Sequence, residues 1–154
     1  MLTHVKKGSA ALLFLLLGLL YCSPNSDSGN LKENDLKKTT GKAIDMIRRK
    51  DYEQFKKLFA PEIAKDIPAE QLNKLVDQVN AFLLRKEFPD DENIVFESYK
   101  TFINKDSVVV NDIIYKFDNP VHSLHSYSRS ITFSFLPKYG PNKLCGLHIT
   151  DDGN

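Results

Sequence analysis

Few side chains in this sequence combine a reactive type with a spacing that could serve chemistry. His122 and His125 stand in an H-x-x-H spacing, which on a helix would let two imidazoles share a metal ion. Here they sit among strand and turn residues and no carboxylate or thiolate completes a ligand set, so two surface or partly packed histidines account for them better. Asp112 lies in an apolar run where strand alternation groups it with Val108, Val110 and Ile114, and the same alternation groups Arg129 with Tyr127, Ile131 and Phe133. A carboxyl held among apolar side chains has a raised pKa suited to proton transfer. The plainer alternative is an Asp at a strand edge and an Arg whose stem lies on the core while its head reaches water. No second acid, base or oxyanion donor can be placed beside them from the sequence. Cys145 shares the side of Leu147 and Ile149 and reads as a buried free thiol acting as a small hydrophobe. His148, between those two residues, is expected to face outward.

The second thiol, Cys22, has a different setting. Lys6 and Lys7 form a short basic start, Ala10 to Cys22 is almost wholly hydrocarbon, and polar Ser23-Pro24-Asn25-Ser26-Asp27 follows at once. That layout reads as a secretory signal over residues 1–21, and the apolar run falls short of the roughly 20 residues needed to span a bilayer. Ordinary signal peptidase needs small residues just before its cut, which Leu19, Leu20 and Tyr21 deny. Leu19-Leu20-Tyr21-Cys22 resembles the lipobox of bacterial lipoproteins, with Tyr21 in place of the usual small residue. The resemblance implies that Cys22 becomes the first residue of the mature chain and carries the acyl chains. Two or three chains anchor stably where one is marginal. Ser23 after the cysteine lacks the aspartate that retains many enterobacterial lipoproteins in the inner membrane, so the resemblance favours the outer membrane, with the domain in the periplasm or at the cell surface. The other reading is a signal with an incidental cysteine.

Residues 22–30 form a flexible tether, since Ser23 to Asn30 holds no apolar residue and cannot bury enough surface to fold. Residues 31–154 are expected to form a single domain. Leu36, Ala43, Ile44 and Ile47 make one stripe of helical period. Asp51 is placed to cap a short second helix that turns Tyr52, Phe55, Leu58 and Phe59 inward onto the sheet. Pro61 and Pro68 bound a loop or partial turn, and Pro68 suits the first turn of a third helix burying Leu72, Leu75, Val76, Val79, Phe82 and Leu83. After Pro89 the period shifts toward two, predicting strands over 94–102, 107–117, 121–136 and 143–150 joined by short turns that favour antiparallel pairing. The fold class is therefore α+β, with about three N-terminal helices packed on a curved four-stranded antiparallel sheet.

Lys50-Asp51-Tyr52 with Leu58-Phe59-Ala60-Pro61-Glu62 and Ile67-Pro68-Ala69-Glu70-Gln71-Leu72 is similar to the helical half of small secreted domains of the cystatin-like or NTF2-like superfamily, with Lys50 in place of the usual glycine. The resemblance implies a pocket between helices and sheet. Its catalytic members keep an acid or base there, which makes Asp112, Tyr127 and Arg129 the candidates for an enzyme of ketosteroid-isomerase or dehydratase style. A fold so widely reused licenses no function by itself. The reading adopted is a non-catalytic binding or accessory domain for a small apolar ligand or an envelope protein, with the enzyme and a structural assembly module as alternatives. No metal or cofactor is implied.

Across 154 residues, 21 Lys+Arg against 20 Asp+Glu leave a net charge of +1, so no global field recruits nucleic acid. Two cysteines cannot make a disulfide scaffold. Charge is uneven along the chain: residues 31–60 carry nine basic against five acidic side chains, and residues 61–92 carry four against eight. Lys37, Lys38, Lys42, Arg48 and Arg49 could lean on anionic head groups beside the anchor or form the solvated face of an amphipathic helix. Without a Gly-rich phosphate loop or interleaved exposed aromatics, nucleotide and nucleic-acid binding find no support.

Overall fold

In the computed structural model the described residues are 31–103, 105–117 and 129–151. The signal over residues 1–21, Cys22, the tether to residue 30, His122, His125 and Tyr127 lie outside them. Four helices come first: α1 (Glu33–Arg48), α2 (Tyr52–Lys57), α3 (Pro61–Ala64) and α4 (Ala69–Arg85). Four strands follow: β1 (Ile94–Ile103), β2 (Asp106–Phe117), β3 (Arg129–Phe135) and β4 (Gly146–Asp151). The strands pair antiparallel in chain order, β1-β2-β3-β4. This is an α+β arrangement in which helices precede a four-stranded antiparallel sheet.

The expected apolar stripe of α1 is buried, and Thr39 and Thr40 are buried with it. Both threonines are satisfied across the core. The Thr40 hydroxyl lies 2.6 Å from the Tyr115 hydroxyl, and Thr39 Oγ1 donates to the Pro141 carbonyl at 2.9 Å. α1 ends in a Schellman turn, with Asp51 N–H donating to Met46 O and Lys50 N–H to Ile47 O. Lys50 therefore sits at φ 55°, a conformation that glycine adopts with least strain. Its ammonium pairs with Asp77 of α4 at 2.9 Å, and Tyr52 donates to the same carboxylate at 2.9 Å, so the turn is tied to α4.

Asp51 caps α2 by accepting from Gln54 N–H, as its position predicts. α2 packs on α1 and α4, and its Phe55 joins the core that the sheet also faces. Phe55 is fully buried, edge-on to Phe59 at 5.5 Å. Phe59 then forms a parallel bridge to Leu144, two residues before β4, framed by Leu144 N–H to Leu58 O and Ala60 N–H to Leu144 O. Between the two prolines the chain makes a one-turn helix, α3, with Pro61 at its start, so four α-helices stand among the described residues. Pro68 is the N-cap of α4, one residue before the first turn.

The sheet turns Ile113, Tyr115, Phe117, Ile131, Phe133, Phe135 and Leu147 to the helices, where they join Leu36, Ile47, Phe55, Leu72, Val76 and Phe82 in one core. Each such side chain is worth about 1.5–3 kcal/mol of burial. The strands begin and end within a few residues of their expected positions, except that β3 starts at Arg129; the earlier part of the segment expected as a strand lies outside the described residues. β1 and β2 meet at Ile103↔Asp106, with Lys105 at φ 75° in the turn.

Candidate functional site

Asp112 is the most unusual group in the sheet. Strand alternation sends Ile113 and Tyr115 into the core and therefore sends Asp112 to the face away from the helices, opposite Glu97 of β1 and Ser134 of β3. It is nevertheless only 6 % exposed. Tyr99 donates its hydroxyl to Oδ2 at 3.1 Å, while Oδ1 has no well-formed hydrogen bond. Burial pushes the Asp112 carboxyl above its ordinary range; Ser134 and Tyr99 pull against that, and the charge of Glu97 adds to it. The Tyr99 phenol is in turn pushed up to about 12 by its own burial and by the neighbouring carboxylate. Asp112 thus takes up its charge at a higher pH than a solvated carboxyl does, beside a phenol that stays protonated at neutral pH.

Arg129 stands elsewhere. It opposes Phe117 and Asp151 and so shares the helix-facing side with Ile131 and Phe133, as the alternation predicts. Its Nε lies 3.2 Å from Asp151 Oδ1 without aligning as a hydrogen bond, and Nη1 has no partner. Asp112 lies opposite Ser134, five residues along β3 from Arg129, a separation of about 17 Å at strand rise. The two are on opposite faces of the sheet and do not converge on one pocket. Neither matches the plainer expectation either, since Asp112 is in a central strand and the Arg129 side chain is only 11 % exposed.

Cys145 is a free, half-buried thiol packed against the core. Burial, reinforced by the Asp112 charge, pushes it up to about 12, so it stays protonated and is a poor nucleophile or metal ligand. His148 opposes Thr132 on the face away from the helices, the outward orientation expected of it. Among the described residues no group of three or more His, Cys, Asp or Glu is placed to hold a metal ion, and no helix is long and apolar enough to cross a membrane. Of the basic residues on α1, Lys37 pairs with Glu33 at 2.8 Å and Arg48 stacks over Phe88 at 4.8 Å, whereas Lys38, Lys42 and, at the C-cap, Arg49 are exposed. A shallow groove open to solvent runs along α4 past Glu70, Asn73, Lys74, Asp77, Gln78 and Ala81.

No known protein family, curated protein or solved structure matches this chain.

Besides Thr39, Thr40 and Ser130, the buried polar residues Asn111 and Asn80 have no counterpart among the residues expected from the sequence to matter. Asn111 is fully buried on the helix-facing side with both amide atoms unpartnered. Its place in the run Val110-Asn111-Asp112-Ile113 is the signal that could have found it, because adjacent polar residues in an apolar strand must face opposite ways. Asn80, 6 % exposed, donates to the Ile47 and Arg48 carbonyls at 2.9 and 3.2 Å. Its position on the buried stripe of α4, beside Val76 and Val79, marks it as a polar group needing a partner, but not which partner.

Proposed function

We propose that this protein is a lipid-anchored bacterial envelope protein whose domain is a non-catalytic binding or accessory module, held by acyl chains on Cys22 and located at the outer membrane. The observation that carries the reading is the amino-terminal series Lys6-Lys7, Leu12 to Leu20 and Cys22, followed by a polar tether. Leu31 already packs against the core, which is consistent with a tether over residues 22–30. Within the α+β class, we assign the domain to the cystatin-like or NTF2-like architecture, supported by helices leading into a chain-ordered antiparallel sheet. The enzyme alternative loses its motive, because Asp112 and Arg129 lie on opposite faces and Asp112 is closed off from solvent. The partner of the binding module is a small apolar ligand or another envelope protein.

Metabolic labelling with a fatty acid tests the anchor. Label is expected on the wild-type protein and not on the Cys22→Ala variant. Equal labelling of the two ends the proposal.

A further inference from the structure

β1 forms one edge of the sheet. Its inner side pairs with β2 from Ile94↔Tyr115 to Ile103↔Asp106 without an extra residue, so no bulge turns the strand away from a neighbour. Among the described residues no strand lies on its outer side. It contains no proline, and Glu97, Ser98, Tyr99, Lys100 and Phe102 are exposed. Phe102 keeps 77 % of its surface and Tyr99 46 %. A long edge strand of this kind presents a row of unpaired N–H and C=O groups on which another strand can add.

We infer that β1 pairs antiparallel with β1 of a second copy of this chain, about a two-fold axis at Tyr99, joining the two sheets into one. The argument is one of register. Directly opposed residues of an antiparallel pair share a face, and a two-fold axis normal to the sheet keeps both helical layers on one side. Each β1 residue can then meet only residues an even number of positions away. With Tyr99 facing Tyr99, Phe96 stands opposite Phe102 and Val95 opposite Ile103, and symmetry makes each contact twice. Ser98 meets Lys100 and Glu97 meets Thr101, so no like charges are directly opposed. Other centres do worse: Glu97 or Lys100 at the axis faces its own copy, and Ser98 at the axis sets Phe96 against Lys100. The Tyr99-centred register covers the exposed Phe102 ring with Phe96, an aromatic cross-strand pair of the kind that stabilises sheets, while pairing residues 95–103; an axis at Phe102 also opposes two rings but pairs only residues 101–103 of β1. The overlap is a single strand pair, at the small end of specific interfaces (below about 1,200 Å² in total), so the dimer depends on concentration. The inference rests on residues 94–103 and stands apart from the lipid anchor.

Disulfide trapping in the full-length chain, in its own membranes, tests the register. Opposed residues have Cα atoms about 4.5–5.5 Å apart, within disulfide range, whereas Thr101 and its symmetry copy are separated by about 14 Å along the strand. Oxidation of Tyr99→Cys is expected to give a dimer band on a non-reducing gel several-fold stronger than Thr101→Cys or wild type, the last reporting any background from Cys22 and Cys145. Tyr99 also holds Asp112, so a double variant, Glu97→Cys with Thr101→Cys, keeps that bond and decides the matter. A dimer from the double variant with none from Thr101→Cys alone supports the pairing. No dimer from the double variant, or the same amount from Thr101→Cys alone, overturns it.

Discussion

Replacing Asn80 tests whether one buried amide fastens the first helix to the last. The last carbonyls of a helix have no partner within it, and at the end of α1 two of them, on Ile47 and Arg48, accept from Asn80 Nδ2 at 2.9 and 3.2 Å. Ile47 O also accepts from Lys50 N–H and so keeps one bond when Asn80 is truncated; the Arg48 carbonyl loses its Asn80 donor. Two lost hydrogen bonds at about 0.5–1.5 kcal/mol each put the cost of Asn80→Ala at about 1–3 kcal/mol. That corresponds to a fall in Tm of roughly 4 °C per kcal/mol for a domain of this size. Asn80→Asp presents an acceptor to two carbonyls and costs more, and protonating that carboxyl restores a donor, so the deficit shrinks as pH falls below neutral. Urea denaturation followed by circular dichroism, run at pH 7 and pH 5, reads both effects. If Asn80→Ala stays within about 0.5 kcal/mol of wild type, the ordinary range of surface changes, and Asn80→Asp shows no pH dependence, the amide is not the fastening described.

Phe55→Ala removes a fully buried ring and is expected to cost about 3–5 kcal/mol, whereas Lys57→Ala, on the exposed side of α2, changes stability little; thermal melts of the two variants check this, and equal small effects would show that α2 is not a core helix. Asp112 binds its proton more tightly folded than unfolded, because burial raises its folded pKa above the ordinary 3.8. The stability it contributes is therefore fully present below 3.8 and is lost as pH rises through the raised folded value. Asp112→Asn is expected to flatten this part of the pH profile and to be no less stable than wild type at pH 7; an unchanged profile would show that Asp112 is solvated.

Periodicity carries much of this fold because it is local. The stripe through Leu36, Ala43, Ile44 and Ile47, the capping carboxylate of Asp51 and the alternation in Ile113, Tyr115 and Phe117 each follow from neighbours within a turn or a strand. Helices ahead of a chain-ordered antiparallel sheet follow from their order and from short connections. Alternation likewise groups Asp112 with Val110 and Ile114, and Arg129 with Ile131 and Phe133, because a strand's side chains repeat every second residue whatever lies beside it.

What alternation leaves open is whether two such sets, on different strands, occupy the same side of the sheet. That depends on register, and the pairing Asp112↔Ser134 with Phe117↔Arg129 separates the two charges onto opposite faces. Shifting that pairing by one residue would reverse the result, since side chains repeat every second position. The partners of buried polar groups belong to the same level. Thr40 meets Tyr115 across 75 residues of chain and Asn80 meets Ile47 across 33, distances over which no sequence spacing prescribes a contact. Local spacing thus settles which residues of each element travel together, and folding in three dimensions settles what they meet, because hydrogen bonds and strand registers between distant segments are set by how whole faces fit.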